Sequence, residues 1–123
     1  MAMLSALAVD HVRRRRNEGP LLGATRYGVH GVPGDGPWVE IWLVLIDARI
    51  TDAGYRTHGC PASVASASLL CELIKGRTVE EASRVTGEDL LVVLGGLPEG
   101  KEEFAHGAAN ALRKALGEDG GIC

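Results

Sequence analysis

Nine consecutive residues, Trp38-Val-Glu-Ile-Trp-Leu-Val-Leu-Ile46, constrain this chain more than any other stretch. All but Glu40 are β-branched, aromatic or leucine, side chains that pack well on a pleated surface. The run passes through Asp47-Ala48 into Arg49-Ile-Thr-Asp-Ala-Gly-Tyr-Arg-Thr-His58, which reads as two strands joined by a short turn around Asp47 and Ala48. Its apolar content calls for a sheet covered on one face by helices.

Helical patterns flank the strands. Ser5 to Arg16 has helical spacing at Leu7, Val9 and Val12 and stops at Asn17-Glu-Gly-Pro20. Between it and the strands, Gly28 to Pro37 is dense in glycine and proline and reads as a loop. From Pro61, small residues lead into Leu69-Leu-Cys-Glu-Leu-Ile-Lys-Gly76, a helix that glycine ends. Thr78 with Glu81 three residues on is a capping-box start, Gly87 to Pro98 is another short helical turn, and Phe104, Ala108, Ala111, Leu112 and Leu116 mark a terminal amphipathic helix. The order predicts an α+β domain with a small antiparallel sheet packed on one side by several helices. With 123 residues, 46% of them apolar, the chain suffices for one domain, expected over residues 1–116, followed by a flexible tail over 117–123.

A net charge of −3 provides no global field to recruit nucleic acid or an anionic membrane. The run Arg13 to Arg16 points around a whole helix turn and reads as a solvated helix end or a patch for an acidic partner. No window holds the roughly 18 apolar residues of a membrane span, and no secretory leader is evident, so a soluble cytoplasmic protein is expected. Three cysteines do not form the even framework of a secreted mini-protein, and reduced thiols or one metal-bound thiolate are expected.

Chemistry centres on Cys60. It ends a strand and begins a helix, where unpaired N–H groups favour negative charge, and the thiolate is the form of sulfur that binds metal or attacks as a nucleophile. His58 lies two residues earlier and shares a face with Cys60 if both belong to one strand. Asp35 and His30 in the glycine-rich segment, and Glu103 and His106 near the start of the last helix, are further candidate ligands. Cys71 falls mid-helix on the apolar face and reads as core, and Cys123 as incidental. The phosphate-binding, dinucleotide, serine-hydrolase, paired C-x-x-C and H-E-x-x-H motifs do not occur, so an enzyme would rest on Cys60 alone, without a base.

Several motifs in order carry a resemblance. Asp10-His11, Arg16 to Gly19, the segment Gly31-Val-Pro-Gly-Asp-Gly36, Asp47-Ala48, Thr57 with Gly59-Cys60, then Ala65, Ser66 and Ser68, Lys75-Gly76, and Leu97-Pro98 with Lys101 run as in the IscU/NifU N-terminal (SufU-like) family of iron-sulfur cluster assembly scaffolds. The resemblance covers roughly residues 5–116. It implies an α+β scaffold that receives sulfur from a cysteine desulfurase and iron from a donor, builds a transient 2Fe-2S cluster and passes it on with chaperone help. It implies no enzyme activity. Three cysteines, an aspartate close after the first and a histidine just before the third form the family's site, which also holds zinc.

The chain departs from that pattern at the site. The segment expected to carry the first cysteine has none: Asp35 either replaces it or is the family's aspartate. The histidine and third cysteine fall at Glu103 and Phe104. The chaperone-binding segment keeps Leu97, Pro98 and Lys101 but loses the proline and valine between them. A 2Fe-2S cluster presents four terminal positions filled mainly by thiolates, and one cysteine with two carboxylates matches it poorly. The resemblance therefore implies one of two things. The chain is a scaffold-like protein with the ligand set Asp35, Cys60 and Glu103, holding iron, zinc or a labile cluster, alone or across a homo-oligomer. Alternatively, it is a module without cluster or metal that binds a desulfurase, a chaperone or a client apoprotein.

Overall fold

The computed structural model describes residues 4–14, 17–58 and 60–117. Three strands, β1 (Arg26–Val32), β2 (Asp35–Ile46) and β3 (Arg49–His58), form an antiparallel meander in the order β1-β2-β3. Five helices accompany it: α1 (Ala6–Arg14), α2 (Pro61–Ile74), α3 (Val79–Ala82), α4 (Gly87–Leu94) and α5 (Glu103–Ala115). The α+β expectation holds, with one difference: the glycine-rich segment read as a loop contributes β1. Glycine serves close approach there, because a Cβ on Gly28 would stand 2.2 Å from Ala111 O and 2.3 Å from Ala115 N of α5.

Register sorts the side chains of β2 onto two faces. Val39, Ile41 and Leu43 lie opposite His30, Gly28 and Arg26 on β1, and opposite Thr57, Tyr55 and Ala53 on β3. These three β2 residues are buried against the helices. Trp38, Glu40 and Trp42 alternate onto the other face, beside Gly31, Val29 and Tyr27 and beside His58, Arg56 and Gly54. The expected turn at Asp47 and Ala48 is present, with φ of 53° and 63°, the left-handed pair that matches the twist of a two-residue hairpin.

Small side chains set the spacing of the helical layer. Helix α2 is buried from Ala62 to Cys71, nearly all round, as a helix central to a domain is. Its serines reach polar partners: Ser66 Oγ donates to Ala62 O at 2.8 Å, and Ser68 Oγ lies 2.7 Å from His11 Nδ1. That contact sets the buried face of α1, the expected helix, in which Val12 packs against the core. The helix buries Ala8 and His11, while Leu7 and Val9 are exposed, because the narrow gap over α2 admits a methyl group and an imidazole facing Ser68. Arg13 and Arg14 are exposed, Arg14 pairing with Asp10 at 2.8 Å; Arg15 and Arg16 lie outside the described residues, as does the tail beyond Gly117.

The remaining joints follow local rules. Thr78 and Glu81 form the expected capping box, and the Thr78 N–H bond to the Glu81 carboxylate holds its pKa below the ordinary value. Thr86 and Asp89 form a second box at α4, which ends on left-handed Gly95. Among the described residues, no helix is long and apolar enough to cross a membrane.

Candidate functional site

The β1–β2 hairpin, the start of α2 and the start of α5 meet at one end of the sheet. Between them lies a cleft of about 430 Å³ whose walls include His30, Trp38, Thr57, Ser63, Glu103 and Phe104. Cys60, outside that lining, caps α2 in an extended conformation (φ −109°, ψ 175°) and is half-buried. Its carbonyl accepts from Ser63 N–H at 2.9 Å and from Ser63 Oγ at 2.8 Å. Its side chain makes no capping hydrogen bond, so the thiol is not used in closing the helix. Pro61 occupies the first turn, where a missing N–H costs nothing.

The other candidates distribute unevenly. Glu103 is exposed at the first position of α5 and lines the cleft. Asp35 is exposed at the first position of β2, past the Pro33-Gly34 turn and outside the cleft's lining. His30 faces the cleft against Gly107. His58 ends β3 and turns to the other face of the sheet, stacking on Trp38 at 4.9 Å. The alternation argument linking His58 to Cys60 does not apply, since the strand stops at His58. His106 sits on the α4 side, its ring against Gly87 and Nε2 3.6 Å from Glu88. Cys71 is fully buried, and burial pushes its thiol far above the ordinary range, as the core reading expected.

Among the described residues, no three His, Cys, Asp or Glu side chains stand together in a way that holds a metal ion. Phe104, half-buried on the cleft wall with Lys101 Nζ 5.9 Å from its ring, presents an apolar face there. Leu97 and Pro98 are half-buried after α4, and Lys101 is exposed, its N–H donating to Pro98 O at 2.9 Å. Sequence reasoning missed Trp38, Thr57 and Ser63 as cleft residues. The Cys60-x-x-Ser63 spacing was the available signal for the last of these, since a hydroxyl at the third helical position reaches back to the cap.

Residues 4–119 match the NifU-like N-terminal domain, almost the whole chain. The chain belongs to the NifU-like N-terminal domain family. An iron-sulfur cluster assembly scaffold protein, IscU 1 of Archaeoglobus fulgidus, is 38% identical over 114 residues, covering 93% of this chain and 74% of that protein. The IscU scaffold protein of Rickettsia prowazekii is 31% identical over 118 residues, covering 93% and 89%. A crystal structure of a SUF-system scaffold protein from Fervidobacterium islandicum superposes with a TM-score of 0.70 at 21% identity, covering 91% of this chain and 95% of that one. That likeness establishes the NifU-like fold, whose layers are those described above.

Proposed function

We propose that this NifU-like domain serves iron-sulfur cluster assembly as a scaffold-fold protein that lacks a self-sufficient cluster site and acts together with partners. The observation that carries this reading is the cleft itself. Its walls carry one carboxylate, Glu103, and one apolar ring, Phe104, while Cys60, with its uncapped thiol, stands outside that lining and meets it only through its backbone carbonyl at Ser63. Kinship with IscU scaffolds supports the assembly role. In this reading the partners are a cysteine desulfurase, a chaperone or a client apoprotein. Leu97, Pro98 and Lys101 form the chaperone-facing segment, and no residue is catalytic.

A second reading is favoured by two donors that local structure leaves unused, the uncapped Cys60 thiol and the exposed Glu103 carboxylate at the start of α5. With Asp35 brought in from the hairpin, the three donors make a harder set than three thiolates, better suited to a single Fe(II) or Zn(II) ion than to a cluster. Cargo iron or zinc then arrives as substrate and leaves to a partner.

Anaerobic reconstitution with iron, sulfide and a desulfurase distinguishes the two. Wild type and Cys60→Ser are compared by visible absorption and metal analysis. Colourless, metal-free protein that still binds the desulfurase supports the first reading. One metal per chain without sulfide, lost in Cys60→Ser, supports the second. A stoichiometric charge-transfer band in wild type, lost in Cys60→Ser, overturns both.

A further inference from the structure

The cleft at the end of the sheet, about 430 Å³, is in the size range of pockets that take small organic groups. Pro37, Val39 and Phe104 give it apolar walls, and two ionisable side chains line it, His30 from β1 and Glu103 from α5. The His30 ring lies against Gly107, and Glu103 stands one helical turn before Gly107 on the same face of α5. Neither side chain has a hydrogen bond or ion pair among the described residues.

The other polar atoms of the cleft are set as acceptors. Thr57 Oγ donates its hydrogen to Trp38 O at 2.7 Å and Ser63 Oγ donates to Cys60 O at 2.8 Å, so each hydroxyl has only lone pairs left to offer a ligand. At the start of α2 the N–H groups of Ser63 and Val64 are likewise turned to Cys60 O, at 2.9 and 3.4 Å. An anion would meet an unpaired carboxylate and donors already in use. A cation meets that carboxylate, two oxygens and an aromatic ring. The ring already attracts one ammonium, Lys101 Nζ, at 5.9 Å from its centroid. A metal ion fits less well, since no three His, Cys, Asp or Glu side chains stand together among the described residues.

We propose that the cleft binds an organic cation, a primary ammonium on an apolar stem. The stem lies along Val39 and Phe104, and the ammonium donates to the Glu103 carboxylate, with the Thr57 and Ser63 oxygens as further acceptors. A free alkylamine and the lysine side chain of a partner protein present this same group. The inference goes beyond the assembly role: it uses neither Cys60 nor Asp35, and it casts Glu103 as a counter-charge in place of a metal ligand.

The test is a titration of the full ¹⁵N-labelled chain, at matched ionic strength, with n-butylammonium, n-butanol, butyrate, a glycine peptide with one central lysine, and Zn(II). The expected result is that n-butylammonium and the lysine peptide move the Glu103, Phe104 and Gly107 amide resonances while butanol and butyrate do not. The tighter of the two identifies the source of the ammonium. Its affinity should fall roughly fivefold in Glu103→Gln, as for a solvent-facing charge pair, and stay unchanged in Glu99→Gln, an exposed carboxylate outside the cleft lining. Both glutamates are exposed, so both variants keep the fold. Lys101→Met should tighten binding by removing the competing ammonium. No shift with either ammonium at high millimolar concentration, equal binding of butanol or butyrate, or undiminished binding in Glu103→Gln overturns the proposal. So does Zn(II) that binds at micromolar concentration, shifts the His30 ring and excludes the amine. Desulfurase binding is scored on the same variants, which separates a failure of amine binding from a failure of the assembly reading.

Discussion

His30 packs against Gly107 so closely that a methyl group at position 107 would stand 2.9 Å from His30 Cδ2. The contact joins β1 to the first turns of α5 and sets how near Glu103 and Phe104 stand to the hairpin. Alanine gains about 1 kcal/mol over glycine inside a helix, and the exposed His30 ring can swing aside. Gly107→Ala is therefore expected to stay within about 1 kcal/mol of wild type in urea unfolding while shifting the His30 ring resonances. Gly28→Ala presses on α5 backbone instead, at 2.2 Å from Ala111 O, and is expected to lose about 3 kcal/mol or more.

The two thiols of α2 and its cap differ in access. Cys60 is half-buried with no capping bond, whereas Cys71 is enclosed by the core. In a Cys123→Ser background, a disulfide reagent should label one thiol quickly in the native protein, and Cys60→Ser should abolish that phase. Labelling of Cys71 should wait for unfolding. Fast labelling of both thiols would contradict the packing of α2.

Tyr27 provides a pH-dependent signature. Burial first and the Glu40 carboxylate second push its phenol up to about 12 from 10. The folded state then holds the proton more tightly than the unfolded chain. The resulting stabilisation is complete below pH 10 and is lost as pH rises from 10 towards about 12. Glu40→Gln should lower the tyrosinate midpoint of Tyr27 in an ultraviolet titration and narrow that window.

Ligand restoration tests the reading of the cleft from the opposite direction. Phe104→Cys with Glu103→His places a thiol and an imidazole at the start of α5, on the wall of the cleft. Reconstituted with iron and sulfide, this double variant should retain more cluster absorption than wild type, and adding Cys60→Ser should remove the gain. Equal absorption in wild type and double variant would show that Phe104 and Glu103 do not limit cluster binding.

The sequence made β2, β3 and α2 legible because their signals are local: an unbroken apolar run, a turn pair, and a small-residue helix closed by glycine. Strand β1 was hidden because Gly28 and Gly31 look like loop residues, while their purpose is to let α5 and Trp38 approach. The helical spacing of α1 was legible but its buried face was not, since Ala8 and His11 match the narrow surface of α2, with Val12 packed against the core, while Leu7 and Val9 are exposed. At the site, Cys60 was visible from its place between strand and helix. The cleft was not, because Trp38, Thr57, Ser63 and Glu103 come from four elements joined only by the tertiary fold.

Asp35 opens β2, Cys60 caps α2 and Glu103 opens α5, so each candidate ligand sits at the first step of an element, at the edge of the core. Packing asks little of such positions. Point substitutions there can exchange a sulfur ligand for a carboxylate or a phenyl ring without reopening the seam of alanines, serines and glycines that joins helices to sheet. Architecture and chemistry in this domain are therefore free to drift at different rates, and a lineage can keep the one long after it has altered the other.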